Sequence, residues 1–245
     1  MKIILSPSKL QRLEPGIGTD HDPIFFPAKT AYLVDQLQKK SSSEIASIMK
    51  IKGKLLDETI HLYDSYDPET KNHAVSAYNG IVFQEIETQL LDPMQLDYLN
   101  HHVRILSALY GVTTPFTGIT PYRLDMTMKP DQMNLYDYWK EEVHDHFDQE
   151  DCIVNLASLE FSKMVSKGKK DKRMFNIHFK EEQRDGRLKV VTVRAKKARG
   201  LMTHYMAHHM IEQVVDLKNF DDLGYVFSED HSDDQNYTFI QSFTE

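Results

Sequence analysis

LKVVTVRAKKARGLMTHY, residues 188–205, changes its periodicity half-way along. From Leu188 to Val193 β-branched residues alternate over a run short enough for a strand. From Ala198 to about Ile211 the apolar residues Leu201, Met202, Tyr205, Met206 and Met210 fall at helical spacing. Between the two lie Arg194, Lys196, Lys197 and Arg199, followed by Gly200. The reading is a strand that delivers four cations to its own C-terminal end, where a helix begins. Helix N-termini favour anions through unpaired N–H groups and the helix dipole. Four adjacent cations there repel one another unless something negative sits among them, and phosphate is the first expectation; a solvated basic turn is the plain alternative.

The totals narrow the class. The chain has 245 residues, 40% hydrophobic and 27% charged, which suits an ordinary globular protein with a substantial core. No apolar run approaches the ~20 residues of a membrane span, and the N-terminal apolar run is too short for a signal peptide. Cys152 is the single cysteine, which excludes intrachain disulfides and thiolate metal clusters and suits a reducing cytoplasm. The net charge of −8 hides an asymmetry. Residues 163–199 hold fourteen lysines and arginines against four acids, so a basic patch sits on an acidic body.

Working outward, Lys2–Leu5 is a short strand running into Ser6-Pro7-Ser8-Lys9, where two hydroxyls and an ammonium either meet an oxyanion or form an ordinary turn. A helix is expected over 28–40. Ser41 with Glu44 forms an N-cap signature, and Ile45, Ile48 and Met49 follow at helical spacing. The pattern breaks at Lys50-Ile51-Lys52-Gly53-Lys54-Leu55 and resumes with Leu56, Ile60, Leu62 and Tyr63. Helix, apolar-x-Gly-x-apolar turn, helix, over about 41–66, is the layout of a helix-hairpin-helix. Such a turn presents backbone N–H groups to a DNA phosphate, with Lys50, Lys52 and Lys54 adding charge; a plain packing pair of helices carries equal weight.

Asp92-Pro93 opens a helix to about His101, and Val103–Tyr110 and Asp151–Ala157 read as buried strands or, for the first, a tight helix. Arg123 beside Tyr122 either clamps an anion or pairs with Asp125. Leu135–Phe147 is an amphipathic helix whose Trp139 is expected to anchor the core. Residues 167–173 read as a basic loop. Met174–Lys180 pairs with Leu188–Val193 as a hairpin about Asp185-Gly186, and Tyr225–Phe227 pairs with Tyr237–Gln241. Three polar clusters then share one placement: Ser6/Lys9, Asn155/Ser158 and Arg194/Lys197 each follow a strand at its C-terminal end, where ligands bind in open α/β sheets.

No GxSxG elbow, Walker loop or HExxH occurs. His204, His208 and Glu212 share a helical spacing, yet no fourth ligand accompanies them and no metal is expected. No cofactor is expected either.

With these motifs in hand, the chain resembles the YaaA family of peroxide-stress proteins. The resemblance rests on LSPSK (5–9), VRILSALYGV (103–112), PYRLDM (121–126), LYDYW (135–139), VNLASLEFSKMV (154–165), KKARGLM (196–202) and GYVF (224–227), in family order over nearly the whole chain. It implies a cytoplasmic bacterial protein of the hydrogen-peroxide response, linked to control of free iron and protection of DNA. It also implies an α/β fold of its own, a mixed sheet flanked by helices, with a positively charged cleft and a DNA-associated helix-hairpin-helix. The hairpin falls on Ile51, Lys52, Gly53, Lys54 and Leu55, and the basic motif on Lys196, Lys197 and Arg199. The usual SPAKT is here SPSKL, and an arginine-containing turn is here Thr113-Thr114-Pro115.

The expectation is therefore a single α/β domain over 1–245 that binds duplex or branched DNA through phosphates, without sequence specificity and away from membranes. Lys50, Lys52, Gly53 and Lys54 hold one backbone; Ser6, Lys9, Arg123, Asn155, Ser158, Arg194, Lys196, Lys197 and Arg199 form the phosphate-binding remainder. The competing expectation is an enzyme acting on a nucleotide or nucleobase in a pocket made by SPSK, NLAS and KKARG. No catalytic residue follows from the sequence.

Overall fold

The structure is a computed structural model that describes residues 1–13, 20–69, 71–165 and 173–243. The basic loop expected at 167–173 lies outside the described residues except for Arg173. In chain order the elements are β1 (Lys2–Leu5), α1 (Pro27–Gln38), α2 (Ser42–Met49), α3 (Lys54–Asp64), β2 (Asn72–His73), α4 (Ala74–Ala77), α5 (Ile81–Gln84) and α6 (Pro93–His102). Then come β3 (Val103–Ser107), β4 (Gly111–Thr113), β5 (Gly118–Ile119), α7 (Leu135–Tyr138), α8 (Lys140–Phe147), β6 (Cys152–Asn155) and α9 (Leu159–Ser162). The last are β7 (Arg173–Glu182), β8 (Leu188–Lys189), α10 (Thr192–His208), β9 (Tyr225–Phe227) and β10 (Asn236–Gln241).

The main sheet runs β4-β3-β1-β6-β7-β10-β9, with β8 added beside β7. Its centre, β3-β1-β6-β7-β10, is parallel, and β4, β8 and β9 join antiparallel. β1 and β3 are buried along their whole length, the signature of parallel strands covered on both faces. From β1 the chain first builds β3 on one side, then returns to lay β6 on the other. The strand order thus reverses between β1 and β6, and α/β sheets bind ligands beyond the strand C-termini at such a reversal.

Helix ends follow the local chemistry. Ser41 and Glu44 form a reciprocal capping box at α2, as their spacing predicts, and Asp92 with Gln95 does the same at α6. Between α2 and α3, Lys50 and Gly53 take positive φ (54° and 58°). A Cβ on Gly53 would meet nothing within 4 Å, so glycine is required there by the backbone and not by crowding. Trp139 is fully buried between α7 and α8, and its Nε1–H donates to the Ala108 carbonyl at 2.9 Å.

The opening stretch departs from its reading. β8 stops at Lys189 and α10 starts at Thr192, so the four cations lie inside a helix and not in a turn before one. The sheet limits how far that strand could run. Glu181 already pairs with β10 on one side, so β8 sits on the side of β7 that β6 occupies up to Asn176. Continued in register, Val190 to Val193 would face Lys180 to Ile177, and Arg194 would meet Asn176, where β6 already pairs. The chain turns out of the sheet instead, and placement overrides the β-propensity of Val190, Val191 and Val193. The Tyr225/Tyr237 hairpin forms as expected.

Candidate functional site

The reversal between β1 and β6 is stitched by serines. Beyond the ladder, the Leu156 N–H donates to the Ile4 carbonyl at 3.1 Å. The Ser158 N–H then donates to Ser6 Oγ at 2.8 Å, and Ser6 Oγ donates to Ser158 Oγ at 3.1 Å. The loop from Ser6 to Leu10 leans on the segment before α5: the Asn79 N–H donates to the Leu10 carbonyl at 2.8 Å. A Cβ on Gly80 would lie 2.5 Å from Ser8 Oγ, so the two segments touch backbone to side chain.

α10 closes the site from the other side. Residues three apart share a helix face, so the four cations separate into two pairs about 160° apart around the axis. Arg194 and Lys197 face away from the site and are neutralised. Arg194 bonds Glu181 at 2.9 Å and Gln241 at 3.2 Å; Lys197 lies 3.4 Å from Glu85. Lys196 and Arg199 share the other face and line a recess of about 370 Å³ with Ser6, Lys9, Ser158 and Glu160. The Arg199 Nε is buried and has no hydrogen-bond partner among the described residues. Burial pulls the Arg199 guanidinium below its usual range, and no carboxylate among the described residues offsets it. Gly200 sets the depth: a Cβ there would stand 2.3 Å from the Val82 carbonyl oxygen, so only glycine lets α10 settle on α5.

A second, smaller recess of about 50 Å³ lies across the Pro7–Lys9 loop, lined by Arg123, Tyr122 and Asp125. Arg123 does not pair with Asp125; Lys9 does, at 2.5 Å. The Arg123 Nε is buried and unpartnered too, while its carbonyl accepts a bond from the Tyr63 hydroxyl of α3 at 2.7 Å. Underneath, Tyr122 bonds Ser107 at 2.7 Å and Tyr78 at 3.0 Å, and burial pushes its phenol up to about 12. Two arginines with orphaned donors therefore flank one serine-rich loop.

The expected clusters are thus redistributed. Ser6, Lys9, Ser158, Lys196 and Arg199 come together, and Arg123 lies next door. Asn155 does not join them: its amide spans β6 and β7, donating to Asn176 Oδ1 at 2.8 Å and accepting from the Ala157 N–H. Arg194 and Lys197 are turned away, so the third strand-end cluster is replaced by the opposite face of α10. Lys50, Lys52, Gly53 and Lys54 sit at the far end of α3 from Tyr63, about 15 Å at the helical rise per residue. His204 bonds the Ile86 carbonyl, and Glu212 approaches His102 at 3.4 Å. Among the described residues no three His, Cys, Asp or Glu side chains converge as metal ligands.

Sequence reading missed Glu160, Phe83 and Phe161 as walls of the recess. Burial raises the Glu160 carboxyl first, nearby Asp125 adds to it, and the Met126 N–H bond at 3.1 Å with the Lys9 charge opposes. Helical spacing after Ser158 would have placed Glu160 near the loop. Nothing in the sequence joined either to residues 80–83.

The Peroxide stress protein YaaA family model matches residues 1–231. The chain belongs to that family. UPF0246 proteins of Rickettsia felis (36% identical, 98% of this chain and 100% of that one), Finegoldia magna (38%, 99% and 98%) and Fusobacterium nucleatum (38%, 98% and 99%) are similar throughout. A peroxide-stress family directs attention to Cys152, which is half-buried at the start of β6. Burial raises its thiol, with the N-terminal ammonium and Arg173 opposing, and this disfavours the reactive thiolate. Among the described residues no helix is long and apolar enough to cross a membrane.

Proposed function

We propose that this YaaA-family protein serves the peroxide response by binding DNA, duplex or branched, chiefly through phosphates. The observation that carries the reading is the pair of orphaned arginine donors, Arg123 and Arg199, on either side of the Ser6–Lys9 loop, with Lys196 beside one of them. Uncompensated guanidinium groups are matched by phosphate oxygens. The α2–α3 turn, read as a helix-hairpin-helix, adds Lys50, Lys52 and Lys54 around a glycine with positive φ. A cytoplasmic site of action and an indirect influence on iron belong to the same proposal.

The test is fluorescence anisotropy of duplex and junction DNA across a salt series. Each phosphate contact contributes about −0.9 to the slope of log K against log salt. Steep salt dependence, lost in Lys52→Glu/Lys54→Glu and in Lys196→Glu/Arg199→Gln, is expected; a flat dependence would sink the reading.

One observation favours a second reading, an enzyme acting on a nucleotide or nucleobase. A recess of about 370 Å³ corresponds to a cube roughly 7 Å on edge, within the range of small-molecule sites, whereas the major groove alone is about 12 Å wide. A duplex can lie across the rim but cannot enter. Glu160, its carboxyl raised, is then the titratable group nearest any chemistry.

A further inference from the structure

We infer that the recess between α10, α5 and the Ser6–Lys9 loop takes a single nucleoside 5′-monophosphate, with its phosphate on Lys196 and Arg199 and its base against Ile81, Val82 and Leu10. This rests on the second reading above and names its substrate class.

Three features select that class. The first is charge. Of the cations lining the recess, Lys9 is already neutralised by Asp125 at 2.5 Å, and Glu160 adds a carboxyl of its own. Lys196 and Arg199 remain, with no partner among the described residues, so the recess offers no more than two cations to a phosphate monoester of charge about −1.5 to −2. A triphosphate would bring more charge than the site can balance. Arg123 does not enlarge the site, because it lies across the loop in a recess of only about 50 Å³.

The second feature is the walls. Ile81, Val82, Phe83, Leu156 and Phe161 are apolar, and Leu10 stands 67% exposed at the same recess. Phe83, Leu156 and Phe161 are already buried, so the accessible apolar surface is that of Ile81, Val82 and Leu10; a sugar phosphate alone would leave it wet, whereas a base covers it. The third is the hydroxyl pair, Ser6 and Ser158, which lies at the strand reversal and offers donors and acceptors to a phosphate or a ribose. Glu160, an acceptor when ionised and a donor when protonated, is placed to meet a base edge.

The experiment is titration calorimetry of the full chain with AMP, GMP, CMP and UMP, and with adenosine, ribose 5-phosphate, inorganic phosphate and ATP as comparisons. At least one monophosphate is expected to bind one-to-one. Its nucleoside and ribose 5-phosphate should each bind about fivefold or more weakly, the loss expected from one charge or apolar contact. Lys196→Glu, an exposed substitution that spares the core, should abolish binding, and Arg199→Gln should do so in protein with an unchanged thermal melt. Lys52→Glu/Lys54→Glu should leave monophosphate affinity intact while weakening duplex binding, so the two readings fail separately. Four results would overturn the inference: no saturable binding by the wild type, inorganic phosphate binding as tightly as the monophosphates, ATP binding tenfold tighter than AMP, or binding that survives Lys196→Glu and Arg199→Gln.

Discussion

The α2–α3 turn and the α10 recess are both basic, but their cations stand in opposite physical situations. Lys54 is 91% exposed and lies 3.5 Å from Glu58, a pair that water and salt screen almost completely. Arg199 is half-buried, with its Nε sealed from solvent and unmatched. An exposed lysine loses little by folding and gains little until a polyanion displaces its counterions. A desolvated arginine has already lost its water, so an arriving phosphate restores a partner without further dehydration of the protein. The first arrangement suits loose attachment to any backbone, the second a defined group in a defined place.

The strongest way to break this comparison is to disturb the support of each region. Gly200→Val would drive a branched side chain into the Val82 carbonyl, 2.3 Å from the Cβ position. Overpacking of this kind is expected to destabilise by about 3 kcal/mol and to push Arg199 out of register. Gly53→Ala meets no neighbour within 4 Å and pays only for its backbone, whose φ of 58° and ψ of −144° are nearly exclusive to glycine, about 2 kcal/mol. Urea unfolding of both variants checks the ranking. Equal losses would mean that α10 can move off α5 freely and that the recess has no fixed depth.

That dependence on Gly200 marks where the sequence stopped being legible. The apolar run of β1, the cap signature at Ser41, the helix start at Asp92-Pro93 and the buried anchor Trp139 all act within a few residues, and each was readable. So was the placement of Ser6 and Ser158 after parallel strands, because strand ends are local and the reversal rule supplies the rest. The split of four cations into two faces was not readable, since it required knowing that β8 ends at Lys189 and that the helix starts before Arg194. The outer limit of that strand, at Arg194, is set by β6, more than thirty residues earlier in the chain. Glu85 and Glu181, which neutralise Lys197 and Arg194, are equally non-local. The wall built from residues 80–83 depends on Gly80 meeting Ser8 and Gly200 meeting Val82. A glycine signals close approach without naming what approaches.

The next contrast sharpens the two electrostatic situations. Arg199→Leu removes a desolvated, unmatched cation and keeps an apolar stem against α5, so it is expected to raise stability by about 1 kcal/mol while abolishing monophosphate binding. Lys52→Ala/Lys54→Ala should leave stability within about 0.5 kcal/mol, because both side chains are exposed, and lower the magnitude of the DNA salt slope by about two. Thermal melts and the salt series measure both. A destabilised Arg199→Leu would show that the guanidinium is held by the fold for packing, and the contrast between the regions would collapse.

The smallest effect concerns Glu160, the acid in the cationic recess. Its folded carboxyl titrates above its ordinary value of 4.5, from burial first and Asp125 second. A group raised in the folded state contributes stability that is fully present below its unfolded pKa and is lost as pH rises through the folded value. Above that ordinary value wild-type protein therefore carries a cost for burying this carboxyl. Glu160→Gln keeps an oxygen to accept the Met126 N–H and never ionises. It should melt slightly above wild type at pH 7, and the two curves should converge as pH falls well below the ordinary value of 4.5, where both side chains become neutral in the folded and unfolded chain. A bound phosphate raises the carboxyl further, so with a monophosphate present the convergence should begin at higher pH. If instead Glu160→Gln melts below wild type at pH 7, the carboxylate is held in place by Lys9, and the recess has one acid–base pair more and one spare acid fewer than its geometry implies.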